Sequence, residues 1–488
     1  MPSTITSAPE TSVPLCVDLD GTLIRSDVLW ESLMLLLKRN PFYLLALPFW
    51  LLRGRAAMKK EIAERTELNP ANLPYHEAFL KYLKAERAQG RVLILATAAD
   101  GRLAQNVAAH LGLFSDVVAS NGETNMRGKN KGHTLAARYG SKGFDYAGNS
   151  TVDLPVWQEA RRALVVNADE RLAREARSLT EVSHVFNEPD STSHALIKAL
   201  RPHQWVKNII IFVPLLTSHR FNEPRLLKSA VLALIAFSLC ASSVYVLNDL
   251  LDLDADRQHA TKRHRPFASG RLPLPYGFLL VPLTLGLSVT VALLLPWSFV
   301  AVLALYFVLT TSYSWRVKQI ALLDVFFLAG LYTMRLIAGH AATGVEYSFW
   351  LLAFSMFIFL SLALVKRFTE LKSLRLQNKQ DSKGRGYSTT DLELVAMLGV
   401  ASGFMAVVVM ALYVNSEQVT RLYHQTLVLL LLCPMLLFWV SRVWLIAHRG
   451  QMHDDPIVFA LKDRVSYLIG ALTLGVLWLA TDSYHWFS

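Results

Sequence analysis

The chain has 488 residues, 53% of them hydrophobic and 18% charged, with a formal net charge of +11. That length exceeds one compact domain, and long apolar runs after about residue 203 exclude an ordinary soluble protein. The positive excess lies largely in loops beside those runs, which favours a membrane surface and excludes nucleic acid as its partner.

Residues 1–13 are polar and lack the basic and apolar regions of a secretory signal, so the part that follows is expected on the cytoplasmic side. The run Val13 to Val17 enters Asp18-Leu19-Asp20-Gly21-Thr22-Leu23, the pattern of a buried parallel strand ending in a loop with two acids. In an open α/β sheet such loops are where sites form. A second strand, Val92 to Leu95, ends at Ala96-Thr97. Lys131 precedes an apolar helix, and Tyr146-Ala147-Gly148-Asn149-Ser150 is followed by Asp153.

This ordered series across residues 14–180 resembles the haloacid dehalogenase-like phosphatases. The resemblance implies an α/β, Rossmann-like fold with a helical cap. It makes Asp18 the nucleophile that forms an aspartyl-phosphate, Asp20 the general acid/base, Thr97 a phosphate donor and Lys131 the charge neutraliser. Asp18, Asp20, Asn149 and Asp153 would surround Mg²⁺. The family more often carries Asp where Asn149 stands, and losing one carboxylate is expected to weaken Mg²⁺ binding.

Residues 29–53 are very apolar but broken by Lys38, Arg39, Asn40 and Pro41, leaving two pieces too short to span a bilayer. They are expected as cap helices resting on the membrane surface, with a membrane hairpin as the alternative. The expected division is a phosphatase-like domain over 1–186, a linker over 187–200 and a membrane domain over 201–488. Cys16 falls in a core strand, and Cys240 and Cys433 fall in apolar helices; all three read as small hydrophobes in a reducing compartment.

Nine apolar stretches follow, at about 206–219, 227–247, 276–295, 297–314, 320–342, 347–366, 394–414, 424–446 and 465–482. With the N-terminus inside, the inner loops 248–275, 315–319, 366–392 and 447–464 carry 17 Lys and Arg, against 4 in the outer segments, as the positive-inside rule requires.

The first inner loop reads Asn248-Asp249-Leu250-Leu251-Asp252-Leu253-Asp254-Ala255-Asp256, then Lys262, Arg263 and Arg265. At helical spacing Asp249, Asp252 and Asp256 share a face, which suits Mg²⁺ bridging to phosphate oxygens, and the cations beyond suit the phosphates themselves. The second inner loop runs from Tyr313 through Lys318, followed by Asp324 and Arg335 on nearly one helix face; ionisable groups inside a span usually face a polar cavity or pair with a neighbour. The third carries Lys366, Arg367, Glu370, Lys379, Lys383 and Arg385, and the fourth His453-Asp454-Asp455-Pro456. Lys366 and Arg367, at the end of a span, are expected at the cavity, whereas the later lysines fit a solvated or lipid-facing surface.

The NDxxDxxxD pattern of Asn248 to Asp256 resembles the first signature of the UbiA prenyltransferase superfamily, and the resemblance spans about 201–485. It implies an all-α, nine-helix transmembrane domain that binds a Mg²⁺-diphosphate substrate. Arg201-Pro202-His203-Gln204-Trp205-Val206-Lys207-Asn208, the 313–318 run, Asp324, Arg335, Gly339, Lys366-Arg367 and Arg385-Gly386-Tyr387 resemble the decaprenyl-phosphate phosphoribosyltransferase branch. A second DxxxD motif, which aromatic prenyltransferases of the superfamily carry, is halved here: Leu328 stands four residues after Asp324.

The resemblance therefore implies a phosphoribosyl diphosphate donor and a polyprenyl phosphate acceptor. Asp249, Asp252 and Asp256 would be catalytic through the metal, while Lys207, Asn248, Lys262, Arg265, Tyr313, Lys318, Asp324, Arg335, Lys366 and Arg367 would bind substrate. An inner-membrane, multi-pass enzyme with cytoplasmic sites is expected. The alternative is an aromatic polyprenyltransferase making quinone precursors. An ion-pumping ATPase is disfavoured, because its phosphorylated Asp lies in a large insertion between membrane helices.

Overall fold

A computed structural model describes residues 13–121, 124–187, 192–378, 385–417, 419, 423, 425–452, 455–460 and 462–481. The polar leader, residues 1–12, lies outside the described residues, as do Lys379, Lys383, His453 and Asp454. The contacts divide the chain into two units. One comprises the chain up to Arg201 with Tyr245–Pro282, and the other Pro202–Val244 with the chain from Leu283.

The first unit is built on six strands: β1 (Leu15–Val17), β2 (Leu93–Asp100), β3 (Asp116–Ser120), β4 (Asp145–Gly148), β5 (Arg162–Val166) and β6 (Glu181–Phe186). They form one parallel sheet in the order β3-β2-β1-β4-β5-β6. Burial on both faces explains the unbroken apolar run of β1. Leu15 and Val17 join one core cluster with Leu93 and Leu95, and Cys16 joins the other with Ile94 and Tyr146. Winding reverses between β1 and β4, so their carboxyl ends flank the crevice where ligands bind in such sheets. Those ends lead into Asp18 and Asn149.

Between β1 and β2 the chain inserts helices Val28–Arg39, Tyr43–Leu52 and Arg55–Arg65. Asp27 starts the first by accepting from the Leu29 and Trp30 amides (2.8 and 3.4 Å), and Asn40-Pro41 stops it. The same unit holds the end of the Pro224–Leu251 helix, the short helix Leu253–Arg257 and the start of the Leu274–Ala292 helix. Cap and acid run are tied directly. Glu31 receives the Arg257 guanidinium (2.6 and 3.0 Å) and the Ser26 hydroxyl, while Met34 packs with Val246, Leu250 and Leu253.

Among the described residues seven helices are long and apolar enough to cross a membrane: Pro224–Leu251, Leu274–Ala292, Trp297–Trp315, Leu323–Thr343, Phe349–Leu376, Thr389–Val414 and Thr426–His448. The expected last span is the apolar helix Arg464–Ala480, 17 residues long. The expected first span, 206–219, is instead a 3-10 segment, Pro202–Phe212, followed by the five-residue helix Val213–Thr217. Buried polar side chains account for the difference. Trp205 and Asn208 donate to Ser242 and Ser238 (2.9 Å each), and Pro214 follows. The segment lies against the Leu323–Thr343 helix at Gly339, where a Cβ would come within 2.2 Å of the Ile211 carbonyl oxygen.

Candidate active sites

In the first unit, Asp18 leaves β1 buried, its Oδ1 accepting from the Leu19 amide (3.0 Å) and from Lys131 Nζ (2.8 Å). Lys131 also donates to the Tyr146 hydroxyl (2.8 Å), which donates to Asp153 Oδ1 (2.9 Å). Asp153 Oδ2 accepts from the Asn149 and Ser150 amides (3.1 Å each). Asn149 Oδ1 accepts from the Thr22 hydroxyl (3.2 Å). A single lysine thus sits between two buried carboxylates. Burial pushes the Asp18 carboxyl up to about 6, against the pull of Lys131. The ammonium is disfavoured by burial, but Asp18 and Asp153 outweigh that and hold it above its ordinary value.

Asp20 accepts from the Val28 amide (2.8 Å), which ties it to the start of the first cap helix. Burial, then Asp27, raise its carboxyl well above the ordinary range. Asp20 and Asp27 line a small cleft with Ser32, Lys59, Ile62 and Asp100. Lys59 donates to the Ala98 carbonyl (2.8 Å), just past Thr97, which is buried within β2 and accepts from the Ala99 amide (3.0 Å).

The acid run continues helically beyond Leu251, with the Asp252 amide donating to the Asn248 carbonyl (2.9 Å) and the Asp256 amide to the Asp252 carbonyl (2.8 Å). Asp249 and Asp256 are buried and joined by Arg265, at 3.1 and 2.6 Å; Arg201 also pairs with Asp249 Oδ1. Burial raises the Asp256 carboxyl, against Arg265. Asp252 lies half-buried at the junction of the two helices, and Lys262 in the 3-10 turn Lys262–His264.

Among the described residues no three His, Cys, Asp or Glu side chains are gathered as a ready-made metal site. Two oxygens of consecutive residues are nevertheless of the type a hard cation takes: Asn248 Oδ1 and Asp249 Oδ2 are each buried without a hydrogen-bond partner. At the other site, Asp153 is committed to Tyr146 and to backbone amides, so Asp18, Asp20 and Asn149 remain the oxygens suited to Mg²⁺.

The second unit arranges its cations in three ways. Lys207 and Lys366 share one carboxylate oxygen, Asp455 Oδ2, at 3.1 and 3.2 Å. Arg335 is buried in an aromatic cage, its guanidinium 5.1 to 5.5 Å from the rings of Phe237, Tyr306 and Tyr332, and it donates to Asn208 Oδ1 (2.8 Å) and the Leu331 carbonyl (2.6 Å). Arg367 is fully buried and spent on acids, with Asp324 at 2.5 Å and Glu370 beside it. The second oxygen of Asp324 accepts from the Tyr387 hydroxyl (2.6 Å). Asp324 and Arg335, on one helix, therefore have separate partners.

Arg385 stands 3.8 Å from Glu370 and 4.0 Å from Asp324, and Tyr313 hydrogen-bonds to it. Gly386 lets this turn approach the 319–321 segment, where a Cβ would meet the Gln319 carbonyl oxygen at 2.7 Å. Lys318 sits in the 3-10 turn Val317–Gln319. Tyr146 and Arg201 stand inside runs named in the sequence but with no role of their own there, and Asp455 stands in an acidic doublet beside a span. The rings of the aromatic cage, Phe237, Tyr306 and Tyr332, carry no local signal, because what joins them is Arg335, which shares a helix with Tyr332 alone.

A crevice lined by buried acids on a doubly wound sheet, and a set of apolar helices of spanning length joined to a buried acid run, define the class: a two-part membrane protein. The model described as the UbiA prenyltransferase family matches residues 209–462, more than half of the chain, and the chain belongs to that family. Residues 15–158 match the haloacid dehalogenase-like hydrolase model. The chain is thus an integral membrane transferase of the UbiA family with a haloacid dehalogenase-like domain.

It is 39% identical over 463 residues to protein y4nM of Sinorhizobium fredii, covering 94% of this chain and 89% of that one. It is 28% identical over 307 residues to decaprenyl-phosphate phosphoribosyltransferase of Mycobacterium tuberculosis, covering 61% of this chain and 96% of that one. A solved UbiA homolog from Archaeoglobus fulgidus bound to GPP and Mg²⁺ superposes with a TM-score of 0.44 at 17% identity, over 58% of this chain and 99% of that one.

Proposed function

We propose that the membrane domain transfers a 5-phosphoribosyl group from phosphoribosyl diphosphate to a polyprenyl phosphate, and that the N-terminal domain then removes the 5-phosphate, both on the cytoplasmic face of the inner membrane. One observation carries the choice of donor. Where a second acidic motif would hold further metal for a prenyl diphosphate, this chain has Leu328 and a single acid, Asp324, whose two oxygens are taken by Arg367 and Tyr387. The likeness to decaprenyl-phosphate phosphoribosyltransferases supports the same choice.

In the transfer, an oxygen of the acceptor phosphate attacks C1 of the ribose. The C1–O bond to pyrophosphate breaks, and pyrophosphate leaves with the electron pair. Bound Mg²⁺ would be held by Asn248, Asp249, Asp252 and Asp256 and would supply neutralisation of the leaving charge. Lys207 and Lys366 hold phosphate oxygens, with Lys262, Arg265, Tyr313 and Lys318 on the cytoplasmic loops. Asp455 keeps the two lysines together, and Arg335 fixes Asn208. The Asp324–Arg367–Tyr387 network positions the helix end that carries Lys366.

In the hydrolysis, Asp18 attacks the 5-phosphorus and the P–O bond to the ribose breaks as Asp20 gives that oxygen a proton. Water then cleaves the aspartyl-phosphate, its proton passing to Asp20, and phosphate is released. Lys131 and Thr97 hold the phosphoryl oxygens. Mg²⁺ at Asp18, Asp20 and Asn149, with Asp153 behind, would offset the gathering charge.

Purified enzyme in lipid, given polyprenyl phosphate and labelled phosphoribosyl diphosphate, is expected to form a labelled lipid, and labelled prenyl diphosphate with an aromatic acceptor is not. The reverse pattern establishes the aromatic prenyltransferase reading instead. Product mass then tests the second step: accumulation of only the 5-phosphorylated lipid, unaltered by Asp18→Asn, removes the coupling.

A further inference from the structure

The cap helix Tyr43–Leu52 has no buried residue. Its sequence, YLLALPFWLL, holds no charge, and Phe42, Leu44, Leu45, Phe49 and Leu52 are exposed, Leu52 by 85%. An outward face this apolar is unstable in water. At ten residues it is about 15 Å long, half of what a spanning helix needs. Exposed cations bracket it, with Lys38 and Arg39 before and Arg53 after. Short, apolar and basic-flanked is the composition of a helix lying in a membrane interface.

The packing of its other face says which surface covers it. Tyr43, Leu47 and Trp50 turn inward to a cluster with Leu33, Leu36 and Ile62, and that cluster includes Phe278. Trp30 of the neighbouring cap helix packs against the same Phe278, ring centroids 5.0 Å apart and planes tilted by 49°. Phe278 lies in the first turns of the Leu274–Ala292 helix, one of the seven spans. The cap is therefore packed on the first turns of a helix long and apolar enough to span a bilayer. One residue pair further on, the Arg55–Arg65 helix contributes Lys59 and Ile62 to the cleft beside Asp20.

We infer that the Tyr43–Leu52 helix is immersed in the bilayer interface and makes the phosphatase cleft a site for phosphomonoesters carried on membrane lipids, with Lys59 facing the anionic remainder of the substrate. The lipid assignment rests on the phosphatase reading given under Proposed function, whereas the bilayer contact does not. A lipid substrate diffuses in the plane of the membrane, and a cap fixed in that plane presents the cleft to it without extraction of the chain from the bilayer.

The test uses the full chain in lipid nanodiscs, with Cys433→Ala to remove the half-buried thiol. A fluorescent nitrobenzoxadiazole label on Leu45→Cys is expected to emit at shorter wavelength than one on Lys84→Cys, an exposed position elsewhere on the domain, and to be quenched by doxyl-lipid. Water-like, unquenched emission at Leu45→Cys overturns the bilayer contact. In the second arm, Leu45→Gln/Phe49→Gln is expected to lower kcat/KM for polyprenyl-linked ribose 5-phosphate about tenfold, with p-nitrophenyl phosphate turnover unchanged. An equal fall on both substrates, or no fall on either, overturns the lipid specificity. Wild-type protein that turns over neither substrate defeats the phosphatase reading itself, while the label still decides the bilayer contact.

Discussion

The two acidic centres of the first unit solve the same electrostatic problem with different cations. Around Asp18 the counter-charge is one buried lysine, held at 2.8 Å and shared through Tyr146 with Asp153. Around Asp249 it is two arginines, both on Oδ1, so Oδ2 is left buried and unsatisfied, as is Oδ1 of the preceding residue, Asn248. A lysine on one acid and 4.0 Å from the other leaves positive charge where the proposed phosphoryl group would sit. Paired arginines that crowd one oxygen leave the other to a cation. A buried, unmet carboxylate oxygen costs about 1–3 kcal/mol or more, a cost that bound Mg²⁺ removes.

The comparison breaks most sharply at Asp18. Asp18→Asn is expected to lower hydrolysis of a phosphomonoester by at least about 10³-fold while leaving phosphoribosyl transfer within about twofold, because the nucleophile has no substitute. Two separate assays on one preparation check this. Asp249→Asn is expected to do the reverse, with transfer down about 10²-fold and p-nitrophenyl phosphate hydrolysis unchanged. If both variants lose both activities, the centres are not independent and the assignment of separate chemistry to them fails.

Asp324 is the opposite extreme from Asp249, with both oxygens engaged and no exposed surface. Its value is then structural. Arg367→Met is expected to destabilise the protein by about 3–5 kcal/mol by stranding a buried carboxylate, and Arg367→Met/Asp324→Leu to recover most of that loss. Thermal unfolding of the two variants in the same detergent measures the difference. A double variant no more stable than the single one would show that Asp324 has another partner of equal weight.

The sequence reading reached the strand-loop acids, the acid run and the spans because each is a local pattern: alternation of period, motif spacing or length of apolar run. Lys131 could be named by chain order within a family pattern. The link from it through the Tyr146 hydroxyl to Asp153 could not be read the same way, since the motif that contains Tyr146 gives that side chain no role. The 206–219 stretch looked like a span by apolarity, but the hydrogen bonds of Trp205 and Asn208 to serines on another helix favour a 3-10 segment there. Arg367 and Lys366 are adjacent and chemically alike, yet one is fully buried between acids and the other half-exposed on Asp455. Helix rotation decides that, and a charge count does not. The Glu31–Arg257 pair joins the cap to the acid run through residues that no motif contains.

The smallest effect concerns Asn149, and it sharpens the difference between the two centres. Its Oδ1 accepts from the Thr22 hydroxyl, so a carboxylate at this position keeps the acceptor and exchanges the amide NH₂ for a second oxygen. That adds a negative charge to a pocket where Asp18 and Asp153 already share Lys131. Without metal the added charge is repelled. With metal it becomes a ligand of the kind Mg²⁺ prefers. Asn149→Asp is therefore expected to lower the Mg²⁺ concentration for half-maximal hydrolysis about three- to tenfold and to lower the melting temperature only when Mg²⁺ is absent. Titration of activity against Mg²⁺, with melting curves in chelator and in excess metal, separates the two effects. An unchanged Mg²⁺ requirement would mean that Asn149 does not face the metal, and that Asp18 and Asp20 hold it without that residue.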